Sequence, residues 1–330
     1  MQKTICIIGG GAAGILTLLA LKNAGISPKR ITIVDPHFDG GDLQRKWASV
    51  RSNTTWSQIL DAVPWPSDRG DLPEPYKSLE KDQPCLLGLV IKYLYLVAKP
   101  FLTQCDMRTT VMETAEFVDG QWSITLKGTQ IKRDLMIMAT GCEPKTLDLP
   151  FHSIPLEVAL TPSRLQDTVS KGDHVMVFGT AHSGCLVVRN LVDLGATVSL
   201  MYVPPKPFFY DAEGDYDGMK WDAATIGKDI EAGKMPKVEL CSINDLASVI
   251  RATKKTDYVV YAMGFEKRMK EFKEYSMTAK LGKGDNAWAF GIAYPNTAPD
   301  GIHYDVSIPA FNKHIQRHLP DILSILSIEL

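Results

Sequence analysis

Two groups of small residues in this chain have the spacing of a turn that binds phosphate. Gly9, Gly11 and Gly14, within the run Gly9-Gly10-Gly11-Ala12-Ala13-Gly14, stand as Gly-x-Gly-x-x-Gly. The chemistry they offer is electrostatic. A glycine turn that feeds a helix leaves N–H groups unpaired, and these face an anion. Gly9 permits the sharp turn, Gly11 keeps a side chain away from a pyrophosphate, and Gly14 lets the helix pack close to the strand. Asp35, 21 residues past Gly14 and followed by Pro36, is placed to accept from ribose hydroxyls. The second group, Gly179-Thr180-Ala181-His182-Ser183-Gly184, repeats the spacing with alanine in the middle. His182 there either meets a phosphate or fills space. Asn53, in Ser52-Asn53-Thr54, carries an amide that donates and accepts without titrating.

The flanking residues predict the elements that must hold these groups. Ile5-Cys6-Ile7-Ile8 reads as a strand, and the helical spacing of Ile15, Leu18, Leu19 and Leu21 stops near Gly25. Ile31-Thr32-Ile33-Val34 is the next strand and delivers Asp35. Residues 134–141 form a buried strand ending in Thr140-Gly141. The order then recurs: a strand over 175–178, the glycine turn, a helix over 186–194, a strand over 197–201, and later a strand over 257–263 ending in Gly264. Such a duplication predicts an α/β fold with two Rossmann-like dinucleotide-binding domains.

Strand-like pieces are expected at 108–111, 116–118 and 122–126. Residues 85–102 are apolar enough to raise the question of a membrane span. Lys92, Lys99 and Pro100 instead predict a buried or amphipathic helix, with no stable membrane insertion. Phe208-Phe209-Tyr210, with Asp211, Glu213, Asp215 and Asp217, either covers a pocket or is a solvated loop. Ser307 is placed to cap a helix through Phe311, Ile315 and Leu319, whose positive end would face an electron-rich ligand atom.

The 330 residues suit two domains, and 45% hydrophobic with 22% charged residues is an ordinary globular balance. A net charge of −2 with no basic run argues against a nucleic-acid partner. Six scattered cysteines without a Cys-x-x-Cys pair read as free thiols in a reducing compartment, hence cytoplasmic. The first residues run directly into a strand, so no signal peptide is expected. No metal-ligating cluster is read.

Taken together, these residues resemble the flavoprotein oxidoreductases with two dinucleotide-binding domains, most nearly the class B flavin-containing and N-hydroxylating monooxygenases. The residues that carry the finer resemblance are Gly40-Gly41, Trp47, Ser52-Asn53-Thr54 and 61–66, then 134–141 and Phe290-Gly291-Ile292-Ala293. The resemblance implies FAD in the first fold and NAD(P)H in the second. It implies that 1–160 plus 285–330 form a discontinuous FAD domain, with the NAD(P)H domain, 161–284, inserted. Trp47, Ser52, Thr54, Thr140, Gly141, Gly291 and Ser307 are then flavin-side positions, Gly179 to Gly184 and Gly264 nicotinamide-side positions, and Asn53 the catalytic position beside the flavin. The strand tip Tyr202-Val203-Pro204 lacks a carboxylate, which points to NADPH with Lys206 as a phosphate partner, NADH being the alternative. The implied activity is oxygenation of a small N- or S-nucleophile by molecular oxygen through a flavin hydroperoxide. Electron transfer without oxygenation and a non-catalytic dinucleotide sensor are the alternatives. Disulfide reductases of this superfamily are disfavoured by the missing cysteine pair. The sequence names neither the substrate nor the oligomeric state.

Overall fold

The computed structural model describes residues 2–210, 214–216, 219–268, 284–297 and 304–326. Asp211, Glu213 and Asp217 lie outside them. The chain divides into two units, Met1–Cys142 with Lys267–Leu330, and Glu143–Glu266. The crossings therefore fall earlier than the expected 160/161 and 284/285. The reason lies in the second sheet: the short strand His152–Ser153 pairs with Tyr258 and Val259, which draws the preceding residues into the second unit.

The first unit is built on a five-stranded parallel sheet. Its order is Ala287–Ala289, Leu135–Met138, Ile5–Ile8, Ile31–Val34 and Asp106–Arg108. The three central strands are buried at every position, as a sheet covered on both faces requires. Strand alternation divides their side chains. Ile5, Ile7, Ile33 and Ile137 join the helices Ala12–Asn23, Leu87–Leu102 and Ile308–Ile325 in one core. Cys6, Ile8, Met136 and Met138 face a three-stranded antiparallel sheet, Met112–Val118, Gln121–Leu126 and Thr129–Arg133, through Trp122, Ile124 and Leu126. The strand expected at 108–111 is displaced to Asp106–Arg108, where it completes the parallel sheet.

The apolar stretch at 85–102 forms the helix Leu87–Leu102, which carries Pro100 in its interior. Proline has no N–H for the Leu96 carbonyl, and its ring crowds that turn. Arg69 makes good the loss, donating from Nη1 to Leu96 O at 2.9 Å and from Nη2 to Val97 O at 3.0 Å. Among the described residues no helix is long and apolar enough to cross a membrane.

The second unit repeats the pattern on a smaller scale. Its parallel sheet runs His152–Ser153, Tyr258–Tyr261, His174–Phe178, Thr197–Tyr202 and Val238–Ser242. The helices His182–Asp193, Asp222–Glu231 and Leu246–Lys255 follow their strands. The aromatic cluster after the strand Thr197–Tyr202 is not a fully solvated loop. Phe208 and Tyr216 are buried, with Tyr216 lying where a Cβ on Gly227 would come within 3.3 Å of its ring.

Candidate functional site

The two glycine turns superimpose in their constraints. Gly9 has φ +110°, and a Cβ there would lie 2.3 Å from the Ala139 carbonyl oxygen. Gly179 has φ +107°, and its Cβ would lie 2.4 Å from the Ala262 carbonyl oxygen. A Cβ on Gly14 would fall 1.9 Å from Gly9 O, and one on Gly184 the same 1.9 Å from Gly179 O. Both turns are held by the neighbouring strand: Gly9 N–H donates to Val34 O at 2.8 Å, Gly179 N–H to Met201 O at 3.1 Å.

Gly11 is a glycine for a different reason. It caps the helix Ala12–Asn23 at φ −72° and ψ −170°, a conformation open to any residue. Ala181 occupies the matching cap at φ −77° and ψ −170°. A Cβ on Gly11 would meet nothing within 4 Å. The first helix therefore opens on space, with no side-chain cap over its N–H groups, which is the cradle a pyrophosphate requires. These residues fit FAD, and the matching turn at 179–184 fits a second dinucleotide.

Around Gly11 the unit brings together segments far apart in sequence. Gly41, at φ +64°, would place a Cβ 3.4 Å from Gly11 Cα. Gly291, at φ +93°, would place one 2.7 Å from Ala13 Cβ, so the late Phe290-Gly291 segment lies on the first turn of this helix. The Phe290 N–H donates to Met138 O at 2.9 Å, which continues the sheet edge. Thr140 and Gly141 form the turn after the strand Leu135–Met138, with Gly141 at φ +72°. Ser307 caps the last helix, its hydroxyl accepting from the Ala310 N–H at 3.2 Å. Gly264, at φ +83°, accepts from the Lys145 N–H at 3.0 Å within the second unit. Trp47 is half-buried and donates its N–H to Asp42 O, while Pro36 is exposed.

Asp35 has a structural task at the strand tip. It is 6% exposed, and three backbone N–H groups donate to its carboxylate: Gly10 at 2.7 Å, His37 at 2.8 Å and Phe38 at 2.7 Å. A buried carboxylate must be saturated with donors; the chain after Asp35 turns back to supply two, and the glycine turn supplies the third. Asp35 thus fastens the strand tip to the glycine turn. Ser52 and Thr54 lie in a short strand. The strand Arg51–Thr55 alternates, so both are buried, and the Ser52 hydroxyl bonds the backbone of Thr54. Asn53 points to the opposite, exposed face, where the Thr54 hydroxyl donates to its Oδ1 at 3.0 Å.

In the second turn, the Thr180 hydroxyl donates to Pro207 O at 2.5 Å and Ser183 is half-buried. His182 opens the helix His182–Asp193, and its Nδ1 is buried without a partner among the described residues. Burial, with Lys220 adding to it and Asp222 opposing, holds its pKa below the ordinary histidine value. Lys206 lies over the rings of Phe209 and Tyr210, its Nζ 5.7 and 5.1 Å from their centroids. All six cysteines are free thiols, and burial raises the Cys6 thiol to about 12.

Two contributors carry no local sequence signal. Tyr95, inside the apolar helix, donates its hydroxyl to the Gly10 carbonyl at 2.6 Å. Arg268 reaches the turn at 140–142 from 126 to 128 residues further along the chain. Helical spacing shows that Tyr95 shares a face with Ile91, but only the packing shows what that face meets.

No protein-family model matches the chain. A curated protein, Monooxygenase AgnR1 of Paecilomyces divaricatus, is 24% identical over 383 aligned positions, covering 95% of this chain and 96% of that one. Among solved structures, the bacillithiol disulfide reductase Bdr (YpdA) of Staphylococcus aureus matches with a TM-score of 0.67 at 16% identity, covering 98% and 99% of the two chains. The flavin monooxygenase of Stenotrophomonas maltophilia matches with a TM-score of 0.65 at 13% identity over the whole of both chains. OTEMO in complex with FAD and NADP gives 0.63 at 13% identity, covering 98% of this chain and 86% of that one. The chain has the fold of the flavin-dependent oxidoreductases with two dinucleotide-binding domains. Reductases and monooxygenases both stand among these neighbours.

Proposed function

We propose that the protein is an FAD-dependent oxidoreductase reduced by NADPH, and that it oxygenates a small N- or S-nucleophile. The observation that carries the cofactor reading is the repeated glycine geometry: two helices, each opened by a turn that only glycine can make, and an empty approach at Gly11. When bound, the nicotinamide supplies a hydride and the flavin passes the electrons to dioxygen. The chain's own residues hold and orient. The N–H groups at the start of the helix Ala12–Asn23 take the FAD pyrophosphate, and Asp35 keeps their turn in place. Gly291 borders the same cradle. The N–H groups beginning at His182 take the second pyrophosphate, and Lys206 pairs with a 2′-phosphate, the strand tip at Tyr202 offering no carboxylate to repel it.

The oxygenase reading rests on Asn53. Its Oδ1 is held by Thr54, which leaves the amide nitrogen to serve as a donor to an anionic oxygen. The competing reading, a reductase or oxidase without oxygenation, is supported by the fold match to a disulfide reductase, although no cysteine pair accompanies it here.

The test is the absorption spectrum of the purified protein, followed by anaerobic addition of NADPH or NADH. A flavin spectrum that bleaches faster with NADPH is expected. A colourless protein that takes up no FAD overturns the reading, and a clear NADH preference overturns the role of Lys206. Stoichiometric product oxygen, traced with labelled dioxygen in the presence of amine or sulfide substrates, separates oxygenation from plain electron transfer.

A further inference from the structure

Arg268 lies just past the point at which the chain returns to the first unit. Its guanidinium joins two segments of that unit. Nη2 donates to Asp42 Oδ2 at 2.5 Å and to the Cys142 carbonyl at 3.3 Å, and Nη1 donates to the Thr140 carbonyl at 3.3 Å. Its backbone N–H reaches the Gly141 carbonyl at 3.5 Å. Asp42 opens the short helix Asp42–Arg45 directly after Gly41, the residue that lies against Gly11. The turn at 140–142 directly follows Ala139, whose carbonyl oxygen limits Gly9. One side chain therefore ties the loop beside Gly11 to the turn behind Gly9.

Charge gives this tie a second consequence. The Asp42 side chain is 18% exposed and belongs to the loop that borders the phosphate cradle. An unpaired carboxylate there repels an anionic ligand. Arg45 approaches it only to 3.6 Å. Arg268 neutralises it at hydrogen-bonding distance, and its planar fork serves the carbonyls as well, which a lysine ammonium cannot do in the same geometry.

We propose that Arg268 is a positioning residue for FAD: through Asp42 it holds Gly41 against Gly11 and removes a negative charge from the edge of the phosphate cradle. The proposal rests on the FAD reading above. It makes flavin affinity depend on the segment at which the chain returns to the first unit, a dependence that the glycine motif by itself does not contain.

The experiment measures FAD affinity of the apo-protein by quenching of flavin fluorescence, for wild type, Arg268→Met, Arg268→Lys, Asp42→Asn and the double variant Arg268→Met with Asp42→Asn. Loss of charge-assisted hydrogen bonds weakens binding by about ten- to hundredfold in Arg268→Met. Arg268→Lys recovers part of this. The double variant binds FAD more tightly than Arg268→Met, because the stranded carboxylate is gone, and high salt narrows the gap between Arg268→Met and wild type. A general loss of packing produces neither recovery. Arg268→Met with affinity within about twofold of wild type overturns the proposal, as does a double variant no better than Arg268→Met. Should Arg268→Met fail to fold, Arg268→Lys against wild type decides by the same twofold criterion. Wild-type protein that takes up no FAD overturns the cofactor reading itself, a result distinct from failure of the latch.

Discussion

The Tyr95 hydroxyl donates to the carbonyl oxygen of Gly10 at 2.6 Å, across 85 residues of sequence. Gly10 is thereby gripped from both sides, since its N–H donates to the buried Asp35 carboxylate. The glycine turn is held open by the helix Leu87–Leu102 and by the strand tip, before any ligand arrives. A pre-ordered turn spares a ligand the entropy of ordering it. Tyr95→Phe is expected to weaken FAD binding about three- to tenfold, the equivalent of one neutral hydrogen bond. Fluorescence titration of the apo-protein measures it, and an unchanged affinity would show that the turn keeps its shape without Tyr95.

The glycines divide into those required by packing and one required by the ligand. Gly14→Ala and Gly184→Ala each drive a methyl to 1.9 Å from a backbone carbonyl, so the backbone must move. Each should cost about 3 kcal/mol of stability, at the upper end of overpacking. Gly11→Ala enters open space at an ordinary φ, so it should leave the melting temperature nearly unchanged and act on FAD affinity instead. Thermal denaturation of apo-protein beside FAD titration separates the two classes. A Gly11→Ala variant that melts early while binding FAD normally would reverse the assignment.

Asn53→Ala should leave FAD binding and reduction by NADPH within about twofold, because the side chain lies on the exposed face of its strand. Under the oxygenase reading it should raise the hydrogen peroxide released per NADPH consumed, since one donor to a developing oxyanion commonly contributes about 2.7–4 kcal/mol. Peroxide yield and product yield are read in the same assay. Equal coupling in wild type and variant would remove Asn53 from the chemistry.

His314 makes stability depend on pH. Its Nδ1 is buried without a partner among the described residues, and its ring stands edge-on to Phe290 with centroids 5.2 Å apart. Burial first, then the positive charge of His318 and Arg317, hold its pKa down at about 4. The unfolded value is about 6.5, so between the two the unfolded chain binds a proton that the folded chain does not. Stability is then fully present above about pH 6.5 and falls as pH drops towards 4. With the ring half-exposed, the discounted loss by pH 5 is about 1 kcal/mol. Urea denaturation at about pH 7 and about pH 5 should show this difference reduced in His314→Gln. Identical pH dependence in the two proteins would mean that His314 titrates alike in both states.

Arg69 and Pro100 should be coupled. Arg69→Met strands the Leu96 carbonyl and removes a second bond from Val97, and should cost about 2 kcal/mol. In a Pro100→Ala background the restored N–H takes up the Leu96 carbonyl, so the loss should shrink by about half. A double-mutant cycle in urea measures it, and strict additivity would mean that Arg69 acts independently of the proline.

The local sequence carried the duplication. The two Gly-x-x-x-x-Gly turns, their strands and the cap at Ser307 depend on contacts within a few residues, where backbone sterics and side-chain period decide the outcome. Gly9 and Gly179 need a left-handed φ in any fold that turns there, so their spacing alone identifies them. Asp35 was legible as a strand-tip acid, but its partners were not, because two donors came from the loop folding back on it and the third from the glycine turn 25 residues earlier. Ser52 and Thr54 stood beside Asn53 in sequence, and strand alternation sent them to the other face. Gly291 was named through the family resemblance, but its contact with Ala13 was not, and Tyr95 and Arg268 could not be read in advance. Each meets the first glycine turn or its supporting loops from a distant part of the chain. Such contacts exist only once burial of the strand Ile5–Ile8 on both faces has fixed which helices and returning segments surround it.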